Sequence, residues 1–133
     1  MTPQTANVRQ TLEQRRARHA WDVVQRAKSN QSQDPKKFGG QAKKLPTRIM
    51  AAGLGQALAF LNAKGYAPGL LAELNEWIAQ RMPPAQGVPR DLLERIVKGD
   101  SDFLRRATDE VLAWLVWLNR FAEAEGLTEG DES

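Results

Sequence analysis

The sequence predicts an all-α fold: a compact, single-domain bundle of about six helices with a long buried C-terminal helix. Three observations carry this. Apolar residues recur at helical spacing along most of the chain, helix caps and proline or glycine stops punctuate it, and no run of β-branched and aromatic residues alternates with polar ones as a strand would. At 133 residues the chain is long enough for one core, and folding at that size buries roughly two thirds of the unfolded surface. Order is expected over residues 5–126, with an acidic, frayed tail at 127–133.

The first helix is predicted from Thr5 to Ser29, with Val8, Leu12, Ala20, Val23 and Ala27 on its apolar face and Arg15, Arg18 and Arg26 on its flank. Asp34 followed by Pro35 starts a second, because the carboxylate caps free amides and proline suits the first helical position. Gly39 and Gly40 should loosen it. Pro46 should end it and open a third helix that runs to Lys64, with Gly65 as its stop. Pro68 begins a fourth helix, to Arg81 or Met82, burying Leu70, Leu71, Leu74, Trp77 and Ile78. Pro83, Pro84, Gly87 and Pro89 break the chain before a short fifth helix from Pro89 to Lys98. Asp100 or Ser101 caps the last, which reaches Gly126 and is apolar around much of its girth.

Composition excludes several classes. Apolar residues make up 41% and charged residues 26%, a globular mix rather than a disordered one. There is no cysteine, so disulfides, thiolate metal sites and a cysteine nucleophile are excluded, in keeping with a cytosolic protein. Met1 to Gln10 lacks the apolar stretch of a secretory signal. The longest uncharged run, Ile49 to Ala63, is 15 residues and holds two glycines, whereas a membrane span takes about 20 apolar residues. No membrane partner is expected.

Charge is placed unevenly. Residues 1–64 carry twelve Lys or Arg against three Asp or Glu, and residues 65–133 carry seven against thirteen. A cationic first half attracts polyanions, and a basic pole facing an acidic one suits head-to-tail self-association. The densest cluster is Lys36, Lys37, Lys43, Lys44 and Arg48, with only Asp34 near it in sequence. Five cations in 13 residues favour a phosphate-tracking surface over a merely solvated face. Arg15, Arg18 and Arg26 are further candidates, although Arg18, Asp22 and Arg26 are spaced to form surface ion pairs instead.

Other features read as structural. His19 is the only histidine, so neither a metal site nor a proton relay has a second imidazole, and a half-buried helix residue is the simpler reading. The carboxylate pairs Glu73/Glu76, Asp100/Asp102 and Asp109/Glu110 lack positioned partners for acid–base work. Gly53-Leu54-Gly55-Gln56 lacks the preceding strand and third glycine of a dinucleotide loop; close approach of another helix explains it better than a backbone kept bare for a partner. Trp77, Trp114 and Trp117 should pack in the core, leaving Trp21 open. The acidic end (Glu123, Glu125, Glu129, Asp131, Glu132) solubilises, or docks on a neighbour's basic pole. No catalytic residue, metal or cofactor is expected. A free-standing helical nucleic-acid-binding regulator is the main alternative function and a small hydrolase the second.

Two blocks of residues resemble a known family. Lys37-Phe38-Gly39, Ala42-Lys43-Lys44-Leu45-Pro46 and Gly53-Leu54-Gly55-Gln56 with Leu58-Ala59-Phe60-Leu61 are similar to the signature of the small helical subunit of the Cmr complex, a type III-B CRISPR RNA-guided effector. Ala107-Thr108, Glu110, Leu112, Trp117-Leu118 and Arg120-Phe121-Ala122-Glu123-Ala124 match its C-terminal pattern in order and spacing. The resemblance spans Lys37 to Gly126, while Thr5 to Ser29 agree only in helical character and basic charge. Asn119 stands where the family often has lysine, and Leu104 where an aromatic is common. The resemblance implies a non-catalytic RNA-binding subunit in antiviral defence that stacks with copies of itself into a filament. That filament flanks the guide and target RNA duplex, and cleavage and signalling belong to the backbone and large polymerase-like subunits. It puts Lys43, Lys44 and Arg48 on the RNA; Lys36, Lys37, Arg15, Arg18 and Arg26 rest on charge placement alone.

Overall fold

The computed structural model describes residues 9–29 and 34–127, and these form six helices: α1 (Leu12–Ser29), α2 (Pro35–Ala52), α3 (Leu54–Lys64), α4 (Pro68–Arg81), α5 (Leu92–Lys98) and α6 (Ser101–Ala124). No strand occurs among the described residues. As its girth of apolar residues predicts, α6 is the central element, packed most extensively on α1 and next on α2. Ala107, Val111, Trp114, Leu115, Leu118 and Ala122 are buried along it.

Most starts and stops follow the expected chemistry, and the structure corrects the others. The first helix begins at Leu12, not Thr5. Arg9 to Thr11 are non-helical, and Thr5 to Val8 lie outside the described residues. The reason is a capping box. The Thr11 hydroxyl accepts from the Gln14 amide at 3.1 Å, and the Gln14 side-chain oxygen accepts from the Thr11 amide at 2.8 Å, satisfying two amides that would otherwise be orphaned. Likewise α5 begins at Leu92, not Pro89: the Asp91 carboxylate accepts from the Glu94 amide and the Asn75 side chain accepts from the Leu92 amide.

The second correction is larger. Pro46 does not divide α2; the helix runs unbroken from Pro35 to Ala52, through Gly39 and Gly40 as well. A proline inside a helix deprives the carbonyl four residues earlier of its donor. Here that carbonyl is Ala42's, and the Asn119 side-chain amide of α6 donates to it at 3.0 Å. Leu45 and Ile49, buried on either side of Pro46, hold the helix against the core. The break falls instead at Gly53, whose φ of +92° a residue with a Cβ rarely adopts. Gly55, by contrast, lies against Ile96 of α5, the close helix approach expected of it.

The third correction is at the C-terminal end, where α6 stops at Ala124, not Gly126, and Leu127 is buried rather than frayed. The Leu127 amide reaches the Ala122 carbonyl and the Gly126 amide the Glu123 carbonyl, the bond pair of a Schellman motif with glycine in the left-handed position. Leu127 then seats on α2, where a methyl group on Gly39 would overlap its carbonyl. Gly39 is therefore a contact point, not a weak point. Residues 128–133 of the acidic tail lie outside the described residues.

The fourth correction concerns Glu110, for which the sequence offers no positioned partner. It is 4% exposed and ties three helices together. Arg16 of α1 grips both its oxygens at 2.8 Å, Trp77 of α4 donates its indole N–H at 3.1 Å, and Arg81 of α4 adds a bond at 3.2 Å. Burial alone would raise this carboxyl, but the hydrogen bonds from Arg16 and Trp77 and the charges of Arg16 and Arg81 overcome it and hold it below the usual carboxylate value. The same pairing raises Arg16.

The Asn119 bond and the Glu110 cluster can each be tested by substitution. Asn119→Ala leaves the Ala42 carbonyl buried without a donor, at a cost of about 1–3 kcal/mol in denaturant unfolding. Pro46→Ala restores a backbone donor and should recover most of that loss in the double variant, but give little in the wild-type background. Glu110→Gln strands two guanidiniums and should cost about 3–5 kcal/mol. Because the Glu110 carboxyl is lowered in the fold, its contribution is complete above the ordinary carboxylate range and fades as pH falls below about 4.5. The stabilities of wild type and Glu110→Gln, read from denaturant unfolding at a series of pH values, should therefore converge as pH falls.

Candidate nucleic-acid interface

The most unbalanced surface is the solvent side of α2 and α3. From Pro35 to Ala72 the chain has six Lys or Arg and no acidic residue. On α2, Lys36, Lys37, Lys43, Lys44 and Arg48 all fall within roughly 140° of the helix circumference. Leu45 and Ile49 define the opposite, buried side. Lys37, Lys44 and Arg48 form one stripe at i, i+7 and i+11, and Lys36 and Lys43 a second beside it. Among the described residues Lys36, Lys37 and Lys44 make no ion pair.

The first stripe borders two aromatic rings that sequence reading did not select. The Arg48 guanidinium lies 4.5 Å from the Phe60 ring centre and donates to Gln41 at 2.6 Å. Lys64 lies 5.8 Å from the same ring and Lys37 lies 5.5 Å from the Tyr66 ring. Phe60 and Tyr66 meet edge to face at 6.4 Å, each more than a third exposed. Cations held over aromatic faces are partly oriented in advance and keep most of their donors free. This places Lys64, Phe60, Tyr66 and Gln41 with the α2 cations. The signal that could have found them is the absence of acid across Pro35–Ala72, which contains all four.

Lys43 faces elsewhere, lining a shallow groove with Val116, Asn119, Arg120 and Glu123 of α6. The α1 candidates form a separate stripe against α4. Arg26 is held by both oxygens of Glu73 at 3.0 Å, which commits it within the fold. Arg15 and Arg18 line an open pocket of about 360 Å³ with His19, Asp22, Glu76 and Gln80, where acids sit among the cations. The spacing-predicted Arg18–Asp22–Arg26 ladder does not form. Arg26 instead reaches across to α4.

Other singled-out side chains fall mainly into structural roles. The His19 Nδ1 accepts from the Trp114 indole at 3.0 Å and the ring packs 4.9 Å from Trp77; burial holds its pKa below the ordinary value. Trp77 and Trp114 are buried as expected, but Trp117 is only partly so and donates to Glu13. Trp21 is half exposed, edge-on to Phe121 at 5.3 Å. Glu76 binds Arg90, Asp102 binds Arg105, and Asp100 caps α6. Among the described residues no three His, Asp or Glu side chains gather to hold a metal ion, and no helix is long and apolar enough to cross a membrane.

Fold and surface together define a small all-helical protein with one helix face reserved for cations. The family described as CRISPR-associated protein (Cas_Cmr5) matches residues 12–125. An X-ray structure of a CRISPR-associated Cmr5 family protein from Thermus thermophilus is similar at 30% identity with a TM-score of 0.73, over 90% of this chain and 100% of that one. This chain belongs to the Cmr5 family, the small subunit of the type III-B Cmr complex.

Proposed function

We propose that this subunit is a non-catalytic, cytoplasmic part of the Cmr complex whose α2 face is a sequence-blind rail for RNA phosphates. The observation that carries the reading is the ridge of Lys37, Lys44 and Arg48, without a carboxylate partner among the described residues and backed by the partly exposed rings of Phe60 and Tyr66. Phosphate contacts position a strand without reading bases. The aromatic rings beside them are suited to sequence-tolerant stacking, which is worth about 1–3 kcal/mol per base.

One copy offers only a few phosphate contacts and binds weakly. Copies stacked head to tail beside the backbone and large polymerase-like subunits present their rails at high effective concentration, so affinity for the guide and target RNA comes from multivalency. The dipole of the sequence supports such stacking less than its charges suggest. Arg16–Glu110, Arg26–Glu73 and Lys28–Glu125 join the basic half to the acidic half inside the fold.

The test is a Lys37→Ala, Lys44→Ala, Arg48→Ala triple variant assembled into the complex. The fold should be retained, at a cost of about 1–2 kcal/mol for the Gln41 and Phe60 contacts that Arg48 gives up. Target RNA capture should weaken for every sequence, and the salt dependence of binding should flatten by about 0.7 for each phosphate that is no longer neutralised. Weakening confined to one target sequence, or unchanged capture at every salt concentration, would contradict the rail.

A further inference from the structure

Among the described residues, Arg95 is the one buried cation whose charge nothing in the fold answers. It lies on α5, 8% exposed. Its guanidinium stacks 4.5 Å over the Phe103 ring, and Nη1 is buried without a hydrogen-bond partner. It makes no ion pair with any described residue, in contrast to Arg16 and Arg81, which share Glu110. Desolvation pushes its pKa down with no opposing contribution. A buried guanidinium without an acceptor costs free energy in the isolated chain.

The side chain lines an open pocket of about 430 Å³ together with Val88, Pro89, Lys98, Asp100 and Phe103. The other charges at this wall are already committed: Lys98 binds Glu94 at 2.7 Å, and Asp100 accepts from the Phe103 amide at 2.9 Å. Val88, one of the exposed large apolar side chains, lines the same pocket.

We infer that this pocket is a docking site for an aspartate or glutamate side chain of another protein chain in the Cmr complex, whose carboxylate would complete Arg95 while flanking apolar residues cover Val88 and Phe103. A carboxylate fits better than an RNA phosphate. The pocket has one unanswered cation rather than the row a polyphosphate needs, and Val88, Pro89 and Phe103 give its wall apolar surface for a peptide to cover. The inference rests on membership in a multi-subunit assembly and is independent of what α2 binds.

The experiment compares Arg95→Met with wild type in two measurements. Methionine keeps much of the volume and the contact with Phe103 but removes the charge. In the isolated chain its melting temperature should be unchanged or higher, because an unanswered buried charge is gone. Affinity for the remaining Cmr subunits bound to guide RNA, measured without target RNA, should fall at least about tenfold. Val88→Glu provides a second variant on an exposed loop. It supplies the carboxylate in cis, so it should raise the melting temperature when Arg95 is present but not in the Arg95→Met background, and it should also weaken assembly. Unchanged assembly in both variants would overturn the inference. So would a fall in RNA binding by the isolated Arg95→Met chain with assembly intact, which would make the pocket a phosphate site. Because the rail is read by target capture and this pocket by assembly without target, failure of one is distinguishable from failure of the other.

Discussion

The hydrogen bond from the Asn119 side chain to the Ala42 carbonyl is the constraint on which the proposed phosphate rail depends. Without a donor there, Pro46 would leave a buried carbonyl unsatisfied, and α2 would be free to divide into two short helices with independent directions. With it, 18 residues stay in one continuous helix, and cations seven and eleven positions apart share a face. A surface that follows a polyphosphate needs that fixed spacing more than it needs any single lysine. Asn119 is thus a central-helix residue that sets the geometry of a different helix.

Charge in the sequence and charge in the fold are different quantities. The first half carries a large cationic excess, but Arg16, Arg26 and Lys28 are paired with acids of the second half. One of these pairs, Arg16 with Glu110, is deep enough that the carboxyl's pKa is held down against burial. What these pairs leave is concentrated on α2 and α3, which contain no acid to neutralise it. The single histidine and the two buried tryptophans beside it belong to the same interior packing that fixes α1 and α4 on α6.

Much of this was legible from residue order alone, and the limits are physical. Asp34-Pro35, Gly65, Pro68 and Asp100 set helix ends through bonds between near neighbours, and all are found where local rules put them. Pro46 misled because its remedy lies 73 residues away at Asn119, beyond any local rule. Glu110 showed no partner in the sequence for the same reason, since its three partners come from two other helices. The cluster of Lys36, Lys37, Lys43, Lys44 and Arg48 was readable because its members lie close in sequence with one acid near them, but that they share one helix was not, because Pro46 was expected to divide it. That Arg26 is held by Glu73, and that Phe60 and Tyr66 border the stripe, depends on how helices pack and left no trace in spacing.

The most direct measurement is an image of the assembled complex with target RNA bound, at a resolution that shows side chains. The account predicts Lys37, Lys44 and Arg48 within ion-pairing distance of consecutive backbone phosphates in each copy of this subunit, with α2 running along the strand. An α2 face turned toward solvent or buried against another protein chain, with RNA passing over some other part of the subunit, would contradict it.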